Sequence, residues 1–567
     1  MVEPKTVSNS PAAVTEVRTT FLSGYRNRIA ICTALFVLAM WIGCSNFSNS
    51  GPLWPDGSQY ANAAAMIHDW LFSGQILHPW EFAEQNYAQF PAFHLPYHPP
   101  GYPALLALFF TATGVSYGSA RIFIALCLWV AGCSFYGILR KTGSSQAAAF
   151  CSALVLITTP EIAFWSRDTM SEIPGLALIL AGTYCFVIWL ATESTLACIV
   201  AFCFAEAAFQ SRYLTAGVLP AWYLWVFLTG KFRRLLSPVL LILAILYLIL
   251  NVFWVVYTLR FSRYETAYSL TPPNTNYGTM FSWKIAAFYS ARIPEMIGWF
   301  ALIAACIGLV YTFRSFRGSF PRLFWLSWFF SNVIFLLAVR IYQEDRYFIY
   351  ALPAFIGLIA ANFSSADDKS EIRRYAGPIL VSLCLVANVI SFKHLPQGLV
   401  GDDAIGQRLA RLDLPGNILV STLQQADLIF RYRSYHPVLK RSFIRGDRSL
   451  AIRPPRYANA EATSIAHNAD DVLNIIRRGR IRYIVTCSLN HEKNDNRAQE
   501  MRLLDKVMRS QPATYQLLGE FALHLEYGLP GYFGKVWLWK FTGQLPEGAS
   551  EIPVIVPTAD LSIEPVR

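Results

Sequence analysis

The chain has 567 residues, of which 54% are hydrophobic and only 15% are charged, and its mean hydropathy is +0.36. Soluble proteins carry about 25% charged residues, so this composition excludes an ordinary soluble protein. The net charge is +11, and its Lys and Arg cluster in short loops between apolar runs. That clustering favours orientation in a membrane over a nucleic-acid partner, and we predict no nucleic-acid binding.

Residues 1–27 are predicted to form a cytoplasmic tail. The basic stretch from Arg18 to Arg28 precedes an apolar run with no small-residue cleavage site after it, which predicts an uncleaved first helix. Further apolar runs of bilayer-spanning length or slightly less continue to residue 393. The complete set is 28–45, 119–139, 146–164, 173–191, 195–210, 213–229, 235–256, 291–313, 321–340, 347–362 and 375–393.

Placing the basic loops in the cytoplasm predicts about eleven spans, with the N-terminus inside and the C-terminus outside. The first outer loop then covers residues 46–118. It contains a shorter apolar run at 100–113 that begins with prolines, and we predict an interfacial or re-entrant helix there. Counting this run as a twelfth crossing is the alternative, but it would put Arg140 and Lys141 outside.

From residue 394 onward the composition resembles that of a soluble protein. Helical spacing at 402–412 and 470–478 alternates with strand-like apolar runs at 417–422, 481–486 and 535–540. The predicted fold class is therefore a polytopic α-helical membrane protein, residues 28–393, followed by an extracytoplasmic α/β domain, residues 394–567.

Asp56 stands at the start of a predicted helix, Gln59–Trp70, in the first outer loop. An acidic residue there caps free backbone N–H groups, or it serves as a catalytic carboxylate. Later in the same loop, paired prolines follow His98 and predict a stiff turn. His98 could bind phosphate or cap that turn.

A second acidic cluster, Asp168 to Glu172, lies in a short loop that our topology places on the same side as Asp56. Two interpretations stay open. The cluster could shape the acceptor site or bind a divalent cation together with Asp56. Alternatively, Asp168 and Glu172 could cap the following helix and pair with Arg167.

Four arginines fall at or near the outer ends of predicted spans: Arg121, Arg167, Arg212 and Arg346. Arginine at that depth is costly and marks a candidate site, here for a phosphate group. Snorkelling to the interface, or pairing with a local acid such as Glu344 or Asp345, is the alternative. The acid Glu206 lies in an apolar run, which marks it as a site candidate; alternatively, a nearby partner such as Arg212 satisfies it.

Together these features resemble the GT-C glycosyltransferases that depend on polyprenyl-phosphate sugars, the relatives of protein O-mannosyltransferase and aminoarabinose transferase. The resemblance covers roughly residues 50–360, and its motifs are Asp56, His98-Pro99-Pro100-Gly101-Tyr102-Pro103, Ala120-Arg121-Ile122, Ser166 to Pro174, and Arg346-Tyr347-Phe348. Many relatives carry an acidic pair in the first loop. This chain has Asp56-Gly57, which leaves one candidate carboxylate there.

The resemblance implies glycosyl transfer from a polyprenyl-phosphate sugar to an acceptor hydroxyl at the outer face. The implied catalytic residues are Asp56, Asp168 and Glu172. The implied substrate-binding residues are His98, Arg121, Arg167, Arg212, Glu344, Arg346 and Tyr347. A divalent cation stays open as a cofactor, with no ligands assigned. The acceptor would be a lipid, a glycan or a protein, and the protein would contact membrane lipid in a bacterial inner membrane. A transporter and a lipid-linked glycan ligase or polymerase are the alternative functions.

Overall fold

The structure is a computed structural model that describes residues 11–45, 54–93, 98–261, 281–314, 320–338, 344–363, 371–391, 401–422, 424–452, 463–488, 496–525, 532–556 and 561–563. The predicted domain boundary at residue 394 lies outside these residues. The domain division therefore stays a prediction.

The described part between residues 11 and 391 contains helices as its regular structure. Its α-helices are α1 (Pro11–Cys44), α2 (Pro55–Phe72), α3 (Pro79–Gln89), α4 (Gly101–Thr113), α5 (Tyr117–Lys141), α6 (Gln146–Thr158), α7 (Pro160–Trp165), α8 (Glu172–Thr192), α9 (Thr195–Ser211), α10 (Leu219–Leu228), α11 (Pro238–Phe261), α12 (Trp283–Ile297), α13 (Trp299–Arg314), α14 (Phe320–Ala338), α15 (Leu352–Phe363) and α16 (Glu371–Ser391). Three short 3₁₀ helices occupy Tyr213–Val218, Phe232–Leu236 and Asp345–Tyr350.

Five of the described helices are long and apolar enough to cross a membrane: Arg26–Cys44, Tyr117–Lys141, Glu172–Thr192, Pro238–Arg260 and Pro321–Ala338. Several shorter apolar helices accompany them, at Gly101–Thr113, Gln146–Thr158, Thr195–Ser211, Tyr213–Leu228 and Ile379–Ile390. The polytopic helical architecture is thus present, and the count of eleven spans stays a prediction.

The predicted run 291–313 needs a correction. It is divided between α12 and α13, whose axes differ by 116°. Gly298 between them has φ +87°, a left-handed conformation that a side chain rarely adopts, and this ends α12. The apolar residues on either side of Gly298 therefore do not form one straight span.

The helices differ in how much of their surface is buried inside the protein, which distinguishes central helices from peripheral ones. The most apolar window of α8 is 78% buried inside the protein, whereas that of α11 is only 11% buried. The mean hydropathy of the α11 window is 2.9, so its exposed apolar side chains face the lipid. The central position of α8 matters because Glu172 is its first residue.

The C-terminal part contains a five-stranded mixed sheet with the order β2-β1-β5-β7-β6. β1 pairs in parallel with β2 and β5, and β7 pairs antiparallel with β5 and β6. The strands are β1 (Asn417–Ser421), β2 (Phe443–Arg445), β3 (Ala451–Ile452), β4 (Thr463–Ser464), β5 (Ile481–Cys487), β6 (Tyr515–Leu525), β7 (Tyr532–Phe541), β8 (Val554–Val556) and β9 (Leu561–Ile563). The helices are α17 (Asp402–Ala410), α18 (Gln425–Ser434), α19 (Gly446–Ser449), α20 (Ala469–Arg478) and α21 (Asn496–Ser510). All three strands and both helices predicted here are present.

The sheet packs on the first loop. Phe90 and Ala92, which follow α3, belong to the same apolar cluster as Ile418 and Val420 of β1. Helix α18 lies between the sheet and the membrane part, and its Phe430 joins the apolar core of the membrane helices. The C-terminal part is therefore packed directly against α2, the helix that carries Asp56.

Candidate active site

Asp56 lies in the first turn of α2, and the N-cap position belongs to Trp54. The N-cap interpretation of Asp56 is therefore wrong, because α2 starts earlier than predicted, at Pro55. A proline is favourable at this position since its missing N–H is not needed in the first turn. The Asp56 carboxylate instead meets Arg346, with 3.3 Å between Oδ2 and Nη2.

Arg346 lies on the 3₁₀ helix Asp345–Tyr350 and is 5% exposed. Its Nε donates to Glu344 and lies 3.6 Å from Glu172 Oε1. The guanidinium group lies 5.5–5.7 Å from the ring centroids of Trp54, Trp165 and Tyr347. Three carboxylates and an aromatic surround thus hold this buried charge in one position.

Glu172 is fully buried and lies between two arginines. Its Oε1 is 2.9 Å from Arg212 Nη2, in addition to its approach to Arg346. The alternative in which Glu172 pairs with Arg167 is therefore wrong. Burying a carboxylate requires compensating charge, and the two guanidinium groups supply it.

Tyr60 was missed by sequence reasoning, although it lies one turn after Asp56 on α2. Its Oη accepts hydrogen bonds from Ser171 Oγ at 3.1 Å and from Arg212 Nη1 at 3.3 Å. The Oη is also 3.1 Å from His98 Nδ1. Because the tyrosine oxygen accepts twice, its own O–H is left to donate to His98.

His98 is held beside Tyr60 with the ring centroids 4.5 Å apart. Burial lowers the pKa of His98 to about 4, so the imidazole is neutral near pH 7. Its position depends on Gly101, because a Cβ there would lie 2.7 Å from the Gln210 carbonyl. The turn before α4 therefore places His98 beside the Tyr60 hydroxyl, which also accepts a hydrogen bond from Arg212.

Asp168 has a different environment from the other predicted acids. Its Oδ2 accepts the Trp54 N–H at 2.8 Å, and its Oδ1 accepts the Thr169 N–H at 2.6 Å. The side chain is fully buried, and burial raises the pKa of Asp168 to about 7. Asp168 therefore fixes the residue before α2, which positions Asp56.

Two of the predicted arginines lie elsewhere. Arg121 donates to the backbone carbonyls of Gly43 and Ser45, at 2.8 and 2.7 Å from its Nη2. It thereby satisfies carbonyl groups at the C-terminus of α1. Arg167 is buried close to Arg121. The sequence predicts that both arginines contact phosphate. For Arg121, binding the carbonyl groups at the end of α1 is a structural role that explains its position without a phosphate.

Glu206 has other partners than Arg212. It accepts from Gln210 Nε2 at 2.9 Å and from Asn251 Nδ2 at 2.7 Å. The alternative in which Arg212 satisfies Glu206 is wrong, because Asn251 of α11 reaches the acid from the neighbouring helix. Arg212 is instead drawn to Glu172 and Tyr60.

The positions of the acidic side chains bear on whether Asp56 and Glu172 could bind a divalent cation together. Among the residues that the structure describes, no group of three or more His, Cys, Asp or Glu side chains could hold a metal ion. Asp56 and Glu172 both face Arg346, whose guanidinium group lies where a shared cation would have to be. The site therefore places a fixed positive charge between these carboxylates.

Similar proteins agree with this arrangement of helices. Residues 97–258 match the family model described as dolichyl-phosphate-mannose-protein mannosyltransferase. The crystal structure of ArnT from Cupriavidus metallidurans in the apo state superposes with a TM-score of 0.55 at 12% identity, covering 89% of this chain and 97% of that one. The ArnT structure bound to undecaprenyl phosphate gives 0.53 at 12% identity, covering 90% and 97%.

The arabinofuranosyltransferase AftD from Mycobacteria gives a TM-score of 0.51 at 13% identity. That match covers 92% of this chain and 42% of AftD.

The chain has the GT-C fold. The fold implied by the resemblance in the sequence is thereby confirmed.

A further sequence match is to a protein described as a transporter and covers a short part of the chain. The putative transporter protein AmiS2 from Rhodococcus erythropolis is 34% identical over 107 residues, which is 16% of this chain and 50% of that protein. This chain thus matches half the length of that relative. The GT-C match covers far more of the chain, and the family match at 97–258 includes His98, Glu172 and Arg212.

Proposed function

We propose that the protein is a glycosyltransferase that moves a sugar from a polyprenyl-phosphate donor to an acceptor hydroxyl. The observation that carries the proposal is the continuous series of ion pairs from Asp56 through Arg346 and Glu172 to Arg212. It places a carboxylate next to one buried cation, Arg346, and one that is 12% exposed, Arg212, which suits transfer from a phosphate leaving group. The matched family model and ArnT, whose descriptions name a lipid-phosphate sugar and undecaprenyl phosphate, support the same substrate class.

Asp56 is the proposed general base. Its side chain is 25% exposed, whereas those of Arg346 and Glu172 are 5% and 0% exposed. Asp56 is thus the member of the series that an acceptor hydroxyl can reach. A positioned base of this kind contributes about 10²–10⁴-fold to the rate.

Arg346 and Arg212 are the proposed phosphate-binding residues. Tyr347 lies between them, with its ring centroid 5.5 Å from the Arg346 guanidinium carbon and 5.4 Å from that of Arg212. Fixed guanidinium groups stabilise negative charge that develops on a phosphate oxygen. Glu172 holds both groups in place before the donor arrives.

The proposed reaction is a direct displacement with inversion. The acceptor oxygen attacks the anomeric carbon while the bond from that carbon to the phosphate oxygen breaks. The bonding electron pair leaves with the polyprenyl phosphate, and the acceptor proton passes to Asp56. A phosphate is a weak base near pH 7, so its departure needs no general acid.

The cellular arrangement also belongs to this proposal. Basic loops predict that Asp56 and the C-terminal domain lie on the outer side of the membrane, and analogy with related enzymes suggests a bacterial inner membrane. The acceptor is a lipid-anchored glycan, a lipid or a protein. Asp168 is proposed to position Asp56, through Trp54, instead of reacting itself.

Reconstitution tests the proposal. The purified protein in liposomes should transfer radiolabelled sugar from a polyprenyl-phosphate sugar to an envelope-lipid extract. Asp56→Asn should lower the rate by about a hundredfold or more. Glu81→Gln, an exposed acid of the same loop, is the matched control and should keep the wild-type rate. Equal rates for Asp56→Asn and wild type would refute the assignment of the base.

The same assay separates the alternative functions. A glycan ligase or polymerase would require a diphosphate-linked donor and would leave the monophosphate-linked sugar unused. A transporter, the class of the AmiS2 match, would move solute across the liposome membrane and release no polyprenyl phosphate. Release of polyprenyl phosphate that depends on Asp56 supports only the transferase.

A further inference from the structure

Helix α18 is unusual because it is polar in sequence yet buried on nearly every side. Its sequence is QADLIFRYRS, and eight of its ten residues, Gln425 and Asp427 to Arg433, are buried. Leu428 and Ile429 face the sheet, whereas Phe430 contacts the membrane part, 4.4 Å from the Tyr117 ring. The helix therefore packs against both parts of the protein.

Arg433 is the residue of α18 whose side chain makes polar contacts with two residues of α2. Its Nη2 lies 3.0 Å from Asp69 Oδ2, and its Nη1 lies 3.4 Å from both the carbonyl and the side-chain oxygen of Asn62. Asn62 is fully buried and donates to Ala426 O at 2.9 Å. The guanidinium group also lies 4.6 Å from the Phe90 ring centroid.

These contacts are made to the helix that begins with the candidate base. Asn62 is six residues after Asp56, about 9 Å along the helix axis at 1.5 Å per residue. The first turn of α2 is fixed separately, by Asp168 at Trp54 and by Arg346 at Asp56. Arg433 and Ala426 fix the middle of the helix, so both points together define its direction.

We propose that Arg433 is a positioning residue through which the C-terminal part holds α2, and thereby Asp56, in the geometry needed for transfer. This inference rests on the proposed function of Asp56. Arg433 acts through Asn62 and Asp69 and not on the donor, whose phosphate ligands lie on other elements. Small misplacement of a reacting group is costly, so loss of Arg433 affects the chemical step more than donor binding.

The test compares Arg433→Met with two matched arginine variants. Arg448→Met breaks another contact between the C-terminal part and the first loop, the 2.7 Å bond from Nη1 to Tyr87 Oη on α3. Arg509→Met removes an arginine that also pairs with an aspartate, Asp505, and lies 4.3 Å over an aromatic ring, but within the C-terminal part. Single-turnover rate, dissociation constant for polyprenyl phosphate, and amide hydrogen exchange of residues 55–72 are measured for each.

Arg433→Met is expected to lower the single-turnover rate about tenfold while the dissociation constant changes by less than about twofold. Hydrogen exchange should rise in 55–72 and stay constant in 172–192. Arg448→Met and Arg509→Met should keep the wild-type rate, and Arg433→Lys, which retains a cation for Asp69, should recover part of it.

Several results would overturn the inference. One is a wild-type rate in Arg433→Met. Another is an equal loss in Arg448→Met, which would indicate general weakening of the interface. Unchanged exchange in 55–72 would equally refute the connection to α2. Failure of the proposed function is recognised separately, because the wild-type protein would then transfer no sugar while the exchange comparison could still be made.

Discussion

Asp56 Oδ2 lies 3.3 Å from Arg346 Nη2, although 290 positions separate the two residues in the sequence. This contact joins the start of the first-loop helix to a short 3₁₀ helix that precedes α15. It unites the acid and the cation that transfer from a lipid phosphate would need. The predictions below concern the residues that create and maintain this contact.

The phosphate-binding role predicts a specific cost for replacing Arg346 by Lys. Lysine keeps the charge but loses the planar group that can approach Asp56, Glu172 and a phosphate together. The dissociation constant for polyprenyl phosphate, measured by titration in detergent, should increase by about ten- to a hundredfold. Arg234→Lys is the control, because Arg234 pairs with Glu193 at the opposite end of α8. Equal affinity in both variants would contradict the role of Arg346.

The position of Glu172 predicts a stability effect. Glu172→Gln keeps the shape of the side chain but leaves Arg346, which is buried, and Arg212, which is mostly enclosed, without their shared counter-charge. Breaking a buried ion pair in this way costs about 3–5 kcal/mol of unfolding free energy. Thermal unfolding in detergent should show a clear decrease in Tm. Glu520→Gln removes an exposed pair with Lys535 and should leave the Tm nearly unchanged, because exposed ion pairs contribute little to stability. A Tm equal to that of Glu520→Gln would show that the arginines are neutralised by other groups.

Asp168 predicts a pH dependence of stability. Burial raises the pKa of Asp168 from 3.8 to about 7 in the folded protein, so between these values the folded state binds more protons than the unfolded state. Its contribution to stability is therefore present at low pH and is lost as the pH rises toward about 7. Asp168→Asn should remove this component and flatten the change in Tm between about pH 4 and about pH 7. An identical slope in wild type and variant would assign the titration to another group.

The sequence identified most of the residues that meet at the site, because buried charges in an apolar chain are rare and each one needs an explanation. Asp56, Glu172, Arg212, Glu344 and Arg346 are all candidates from the sequence, by their place near the ends of predicted spans or by the family resemblance, and the structure brings them together. Their functional roles stay predictions. The pairing could not be predicted, because Glu172 prefers Arg212 over its near neighbour Arg167 for reasons of helix packing.

Other features could be recognised only from tertiary structure. Tyr60 has no charge and reads as an ordinary residue of an amphipathic helix. In the sequence, Arg121 and Arg346 both lie near the outer end of a predicted span. In the structure, however, Arg121 donates hydrogen bonds to carbonyl groups at the end of α1. The division of 291–313 at Gly298 leaves hydropathy almost unchanged, so a sliding average passes over the bend.

Because α18 packs against both the membrane helices and the sheet, the C-terminal part cannot be excised without exposing buried side chains. Phe430 is part of the apolar core of the membrane helices, while Leu428 and Ile429 belong to the core of the sheet. A fragment that starts after the last membrane helix would present Phe430 and the guanidinium group of Arg433 to water. We expect such an excised fragment to self-associate, and crystallisation or antibody selection would succeed better with the intact chain in a lipid nanodisc.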